Sequence, residues 1–187
     1  FMHNIFLDCG THLCQGLLEF YETKIIDQSF KIYTFEANPT TYGYAFPRAQ
    51  QIPLDITIYN AAVWVENGFV LFSQEMQSDN NPIGQGSSIA GTGFTHKNLL
   101  HPQPILSIDF SKFIQMLPED ANIICKMDIE GAEFNVLRHL INTGAIKKIN
   151  KIYIEFHEQF MEDESEKTKV ELIELIKNLG VETYEWK

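Results

Sequence analysis

Basic charge is scarce in this chain. Across 187 residues, 14 Lys and Arg stand against 25 Asp and Glu, a formal charge of −11. Nucleic-acid binders neutralise phosphates with clustered Lys and Arg. Here the basic residues are scattered and the densest pair is Lys147-Lys148, so nucleic acid is a disfavoured partner. Cysteine is scarce too. Cys9, Cys14 and Cys125 are odd in number and lack CxxC spacing, which argues against a disulfide framework or zinc site and reads as reduced thiols in a cytoplasmic protein. No uninterrupted apolar run approaches the roughly 20 residues of a membrane span. No leader is visible, but the chain opens on Phe1 rather than Met, as an excised fragment does.

What is present fits one globular domain over residues 1–187. Hydrophobic residues make up 44% and charged residues 21%, which rules out intrinsic disorder. Short apolar runs alternate with amphipathic segments, the pattern of α/β layering. Strands are predicted at Asn4 to Cys9, Lys31 to Glu36 and Asp55 to Val65, with a hairpin across Glu66-Asn67-Gly68 to Phe69–Ser73. Further strands are predicted at Ile105 to Ile108, Asn122 to Asp128, Lys151 to His157 and Val181 to Trp186. Helices are predicted at Gln15 to Ile26, at a short segment after Thr40 or Thr41 that breaks before Pro47, and at Ser111 to Leu117. Two more are expected at Glu133 to Thr143, stopped by Gly144, and at Glu164 to Leu179, with Val170, Ile173, Ile176 and Leu179 inward. Residues Gln77 to Pro104 lack periodicity and read as a long mobile loop on the substrate side, with Gly84, Gly86, Gly91 and Gly93 as its hinges.

Open α/β sheets bind ligands beyond the carboxyl ends of their strands, where strand order reverses. The residues at those ends are Asp8 and Gly10, Glu36 and Asn38, Asn60 and Ala61, Asp128 and Glu130, and Glu155 and His157. A strand–Asp-x-Gly–turn–helix lets backbone amides approach a ligand closely. A carboxylate ending the next strand, Glu36, suits the two hydroxyls of a ribose. Together these serve a dinucleotide or S-adenosylmethionine. The GxGxxG phosphate cradle is absent from DCGTHLCQG, and an acid at Asp8 suits a sulfonium or ammonium better than a pyrophosphate.

The segment CKMDIEGAEFNVL, Cys125 to Leu137, resembles the hallmark of the FkbM-type methyltransferases, K-x-D-x-E-G-x-E. LDCG, TFEANP, YNAAVW, Ser87-Ser88, LSIDF and IEFH follow the family's order, so the resemblance runs from Ile5 to His157. It implies a class I methyltransferase, a Rossmann-like three-layer sandwich with a mostly parallel sheet. The few residues after Gly180 leave that sheet short of its last strand, as in a family core trimmed at its end. The implied cofactor is S-adenosylmethionine, and the acceptor a hydroxyl of a sugar, glycan or small metabolite. Asp8, Gly10, Thr11 and His12 would meet the methionine end, Glu36 and Asn38 the ribose, and Asn60 and Ala61 the adenine. Asp128, Glu130 and His157 are the candidate bases. The first turn departs from the family's usual D-x-G-A-N-x-G, with Thr11-His12 for Ala-Asn and Cys14 for the later Gly.

Plainer readings stand beside these. Asp8 is placed to cap its turn, Lys126 to form a structural ion pair, and Glu130 or Glu133 to serve the start of the following helix. His157 is either a base or a partner for a neighbouring loop; His139 reads as a surface residue, and His96 and His101 as loop contacts. A hard cation among Asp128, Glu130, Glu155 and His157 has no contiguous ligand motif behind it, so no metal is expected. Other function classes are a non-catalytic S-adenosylmethionine-binding or protein-interaction module of the same fold, and an NAD-dependent oxidoreductase.

Overall fold

The computed structural model describes residues 3–76, 86–89, 91–95 and 99–186. Its first half runs β1 (Asn4–Cys9), α1 (Gln15–Glu22), β2 (Phe30–Phe35), α2 (Pro39–Ala49), β3 (Asp55–Tyr59), β4 (Ala62–Trp64), β5 (Gly68–Ser73) and β6 (Ser88–Ile89). The second half runs β7 (Gln103–Asp109), α3 (Phe110–Gln115), β8 (Asn122–Met127), α4 (Glu133–Thr143), β9 (Lys151–Ile154), α5 (Glu166–Asn178) and β10 (Glu182–Glu185).

Six parallel strands form the main sheet in the order β10-β9-β8-β1-β2-β3, so strand order reverses at β1. This is the Rossmann-like, class I arrangement. Side chains alternate across β1: Ile5, Leu7 and Cys9 join the core beneath α3, α4 and α5, while Phe6 joins Leu17, Phe20, Ala45 and Ala49 beneath α1 and α2. The register sets Asp8 beside Thr34 on β2 and Lys126 on β8, a row of polar residues at the carboxyl end. Among the described residues no helix is long and apolar enough to cross a membrane.

A second sheet, β4-β7-β5-β6, packs Ala62, Val70, Phe72 and Ile89 against Ala132, Ala37 and Ile129, and so roofs the carboxyl edge of the main sheet. Two expectations change here. Asp55 to Val65 is two strands, not one, because Asn60 leaves the main sheet and donates its amide to the carbonyls of Glu36 and Ala37. The hairpin is also replaced: β7 inserts between β4 and β5, parallel to the first and antiparallel to the second. The turn's polar groups serve β7 instead, with Ser107 donating to the Glu66 carbonyl and the Asp109 amide donating to the Asn67 side chain.

The helices differ in detail. α2 continues through Pro47, which stands only two residues before its last residue, Ala49. α5 starts later than expected and turns Lys169, Leu172 and Ile176 inward, leaving Val170 exposed. Lys169 is drawn in by Glu158, Glu166 and Glu185 at 3.1, 2.8 and 3.4 Å. Of the expected loop, Gly86 to Ile89 carries β6, and residues 77–85, 90 and 96–98, with Gly84 and His96, lie outside the described residues.

Candidate functional site

A cavity of about 300 Å³ lies at the carboxyl ends of β1, β2 and β8, under the second sheet. Its wall includes Gly10, Thr11, His12, Glu36, Asn38, Ala61, Asp128 and Glu130 from the sequence-derived set. Asp8, Asn60 and His157 stand behind the wall. Asp8, expected at the ligand, is fully buried; it accepts from the Thr34 hydroxyl at 3.0 Å and faces the Lys126 ammonium at 3.6 Å. A carboxylate at that depth is tolerable only with such partners. Lys126 is buried too, and donates to the Gly10 carbonyl at 2.6 Å and to Asp128 at 3.2 Å. The ion pair read from the sequence thus ties β1 to β8 at the point where the cavity opens.

Gly10 holds φ +77°, and a Cβ there would sit 1.8 Å from the Asp128 carbonyl oxygen. No other residue allows the two chain segments so close. Glu36 receives the His12 amide on one oxygen at 2.9 Å and the Asn38 amide on the other at 2.8 Å. Burial pushes its carboxyl up to about 7, against the pull of those two N–H groups and of Lys126. Asn38 also caps α2, accepting from Thr40 and Thr41. His12 Nε2 and Thr41 Oγ1, both on wall residues, are buried polar atoms with no partner among the described residues.

The opposite wall carries an acidic group. Glu130 stands in the left-handed region at φ +52°, followed by Gly131 at +92°, where a Cβ would strike the Met161 sulfur at 2.6 Å. The buried Ser88 hydroxyl donates to the Glu130 carbonyl and fixes this turn from the second sheet. Glu133 is fully buried, accepting the Ile129 amide at 3.0 Å while lying 2.9 Å from His157 Nδ1. So Glu133, not Glu130, serves the turn that leads into α4. His157 Nε2 lies 3.4 Å from Glu130 and 3.9 Å from both Asp128 and Glu155.

Electrostatics separates these groups. Burial opposes charge on His157, but the Glu133 hydrogen bond and the carboxylates of Glu133, Glu130 and Asp128 lift it to about 9. The carboxylates around the ring therefore favour its imidazolium form. Burial raises Glu130 to about 8; His157 pulls it down, while Asp128, Glu133 and Glu155 push it up. Ligand atoms of Asp128, Glu130 and His157 lie within 4.8 Å of one another. His139, expected at the surface, pairs with Asp109 at 3.0 Å, and His101 is exposed.

Sequence reasoning missed Gln15, Val63, Phe72 and Trp186, which also line the cavity. Trp186 follows the last strand, and only its aromatic size set it apart in the sequence.

Comparison with known proteins adds the following. A family model described as the Methyltransferase FkbM domain matches residues 8–182. Among solved structures, a crystal structure of methyltransferase FkbM from Methylobacillus flagellatus KT is similar over 78% of this chain, at 14% identity and a TM-score of 0.45. The match covers 30% of that protein, so this chain spans less than a third of its length. No curated protein matches the chain.

Proposed function

From the chain's membership of the FkbM methyltransferase domain family, we propose that it transfers a methyl group from S-adenosylmethionine to a hydroxyl oxygen of a sugar, glycan or small metabolite, with residues 1–187 acting as one methyltransferase domain. The observation that carries this reading is Glu36 facing the same cavity as the Gly10 turn. Each Glu36 oxygen is anchored by one amide, so each keeps a lone pair for a ribose hydroxyl. The unpartnered His12 and Thr41 atoms and the close backbone approach at Gly10 fit a polar ligand of this kind.

When bound, the donor supplies an electrophilic methyl group on a sulfonium. Gly10, Thr11 and His12 hold its methionine end, Glu36 and Asn38 its ribose, and Ala61 borders its adenine, with Asn60 fixing the strand exit. Asp8 acts from behind, through Lys126. Aligning the acceptor oxygen with the methyl group supplies much of the acceleration. Glu130 would take the acceptor hydroxyl's proton as its oxygen receives the methyl group. Asp128 is engaged by Lys126, whereas Glu130's nearest cation is the His157 ring. Ser87 and Ile89, from the described part of the expected substrate-side loop, also line the cavity.

Calorimetry tests the reading. S-adenosylhomocysteine should bind and NAD should not; tight NAD binding without donor binding would sink it. Donor binding with no turnover on any hydroxyl acceptor would favour the binding-module class instead. Glu36→Ala should weaken S-adenosylhomocysteine at least about tenfold, since each hydrogen bond to a carboxylate contributes roughly 1.5–3 kcal/mol. The pH dependence has a definite sign. Ribose hydroxyls donate to the ionised form, so affinity should decline as pH falls through the Glu36 value of about 7 and level off above it. The decline approaches about tenfold per pH unit and should vanish in Glu36→Gln. A decline that survives in Glu36→Gln would assign it to another wall carboxylate.

A further inference from the structure

We propose that Trp186 closes the methionine end of the cavity and donates its indole N–H to the carboxylate of the bound donor. The inference rests on the donor reading above, but not on the family, since Trp186 lies beyond the residues matched to it. The Trp186 amide donates to the Ile154 carbonyl at 2.9 Å, which extends β10 along β9 and carries the side chain to the mouth of the cavity. There the ring is held on three sides. The Lys126 ammonium lies 4.7 Å from its centroid, Phe20 packs against it at 6.4 Å, and Gly16 abuts its far edge.

Gly16 makes the approach possible. A Cβ there would lie 3.2 Å from Trp186 Cη2 and 3.3 Å from both Cζ2 and Lys126 Cε. The residues beside the ring are therefore those of the first turn and the start of α1, where the methionine portion is placed. The chemistry at this end selects which methionine group the indole meets. Lys126 donates to the Gly10 carbonyl and to Asp128 and its charge also faces Asp8, so the protein's own acids already claim that ammonium. Asp128 and Glu155, on the same wall, suit the donor's ammonium. A carboxylate needs another donor, and the indole N–H can only donate. Trp186 Nε1 is buried with no acceptor among the described residues. The ring lines the cavity, and the donor's carboxylate is the acceptor that this N–H lacks. The lysine beneath is a favourable cation–π contact and keeps the ring at the wall.

Two ligands separate this end of the donor from the rest. S-adenosylhomocysteine carries the amino-acid end, and 5′-methylthioadenosine lacks it. Calorimetry with wild type, Trp186→Phe, Trp186→Ala and Gly16→Ala reads both. Trp186→Phe keeps an aromatic ring and removes the N–H; it should weaken S-adenosylhomocysteine by about tenfold, the scale of one charged hydrogen bond, with little effect on 5′-methylthioadenosine. Trp186→Ala should lose more on the first ligand only. Gly16→Ala, which displaces the ring without altering it, should reproduce the selective loss if Trp186→Ala fails to fold. In a Trp64→Phe background, Trp186 is the sole indole, and its fluorescence should change on binding S-adenosylhomocysteine and not 5′-methylthioadenosine. Equal losses on both ligands, or none on the first, overturn the proposal while leaving the donor reading intact. Wild type binding neither ligand overturns the donor reading, and this one with it.

Discussion

Exchanging Glu130 for Gln is expected to lower kcat by about 10²–10⁴-fold, the usual contribution of a positioned base, while leaving S-adenosylhomocysteine affinity nearly unchanged. Gln preserves the shape of the side chain and the left-handed turn pinned by Ser88, but it cannot take a proton. The pH profile supplies the sharper readout. Glu130 acts as a base only when ionised, so wild-type kcat at saturating donor, where the Glu36 effect on affinity drops out, should rise with pH toward a plateau above about 8. In Glu130→Gln that rise should be absent. Removing the imidazolium, in His157→Asn, takes away the positive charge that holds Glu130 down, and should move the rise to higher pH. A rise that persists unchanged in Glu130→Gln would transfer the role to another group, with Asp128 next in line on the same wall. His157 is the weaker candidate, because it stands behind the cavity wall while Glu130 lines it, and its carboxylate neighbours favour its protonated form.

The contrast between Glu130 and His157 shows what a sequence carries and what it does not. The acidic row at the strand ends was legible because it depends on local features: short apolar runs, a polar residue after each, and a glycine where the chain must turn. β1, β2, β8 and α4 with its Gly144 stop lie where periodicity and turn chemistry put them. The protonation of His157 depends on Glu133, 24 residues away and fully buried. An unperturbed histidine titrates near 6.5, and only the folded arrangement raises it. The hairpin fails for a similar reason. Glu66-Asn67-Gly68 has the chemistry of a tight turn, yet Ser107 and Asp109 reach back to occupy its polar groups and bring β7 between the two strands. Lys169 in the inward face of α5 is a third case, because three carboxylates from three segments draw it in. Trp186 joined the wall unseen: its place depends on the missing side chain of Gly16, 170 positions earlier.

Gly10→Ala should be the most damaging added methyl among the described glycines. The left-handed backbone at φ +77° alone costs a non-glycine residue about 1–2 kcal/mol. Contact adds more. The new Cβ would stand 1.8 Å from the Asp128 carbonyl oxygen and 2.9 Å from its carbon, and both are backbone atoms that cannot swing aside as a side chain can. Relief requires β1 and β8 to part at their carboxyl ends. That parting strains the Asp128 amide bond to the Cys9 carbonyl at 3.1 Å, the Gly10 amide bond to Phe35 at 3.0 Å and the Lys126 bond to Gly10 at 2.6 Å. The expected loss is about 3–5 kcal/mol of folding stability, a fall in Tm on the order of 10 °C for a chain of this size. Molecules that do fold should bind no S-adenosylhomocysteine, because Gly10 and Asp128 line the same cavity. Gly43→Ala is the control. Gly43 lies within α2 with nothing within 4 Å of an added Cβ, so alanine there should leave Tm unchanged or raise it slightly. Melting curves of the two variants separate a general intolerance of alanine from the close approach itself. If Gly10→Ala melts with wild type and still binds ligand, β1 and β8 do not meet as described, and the wall that brings Gly10, Lys126 and Asp128 together is lost as the basis of the site.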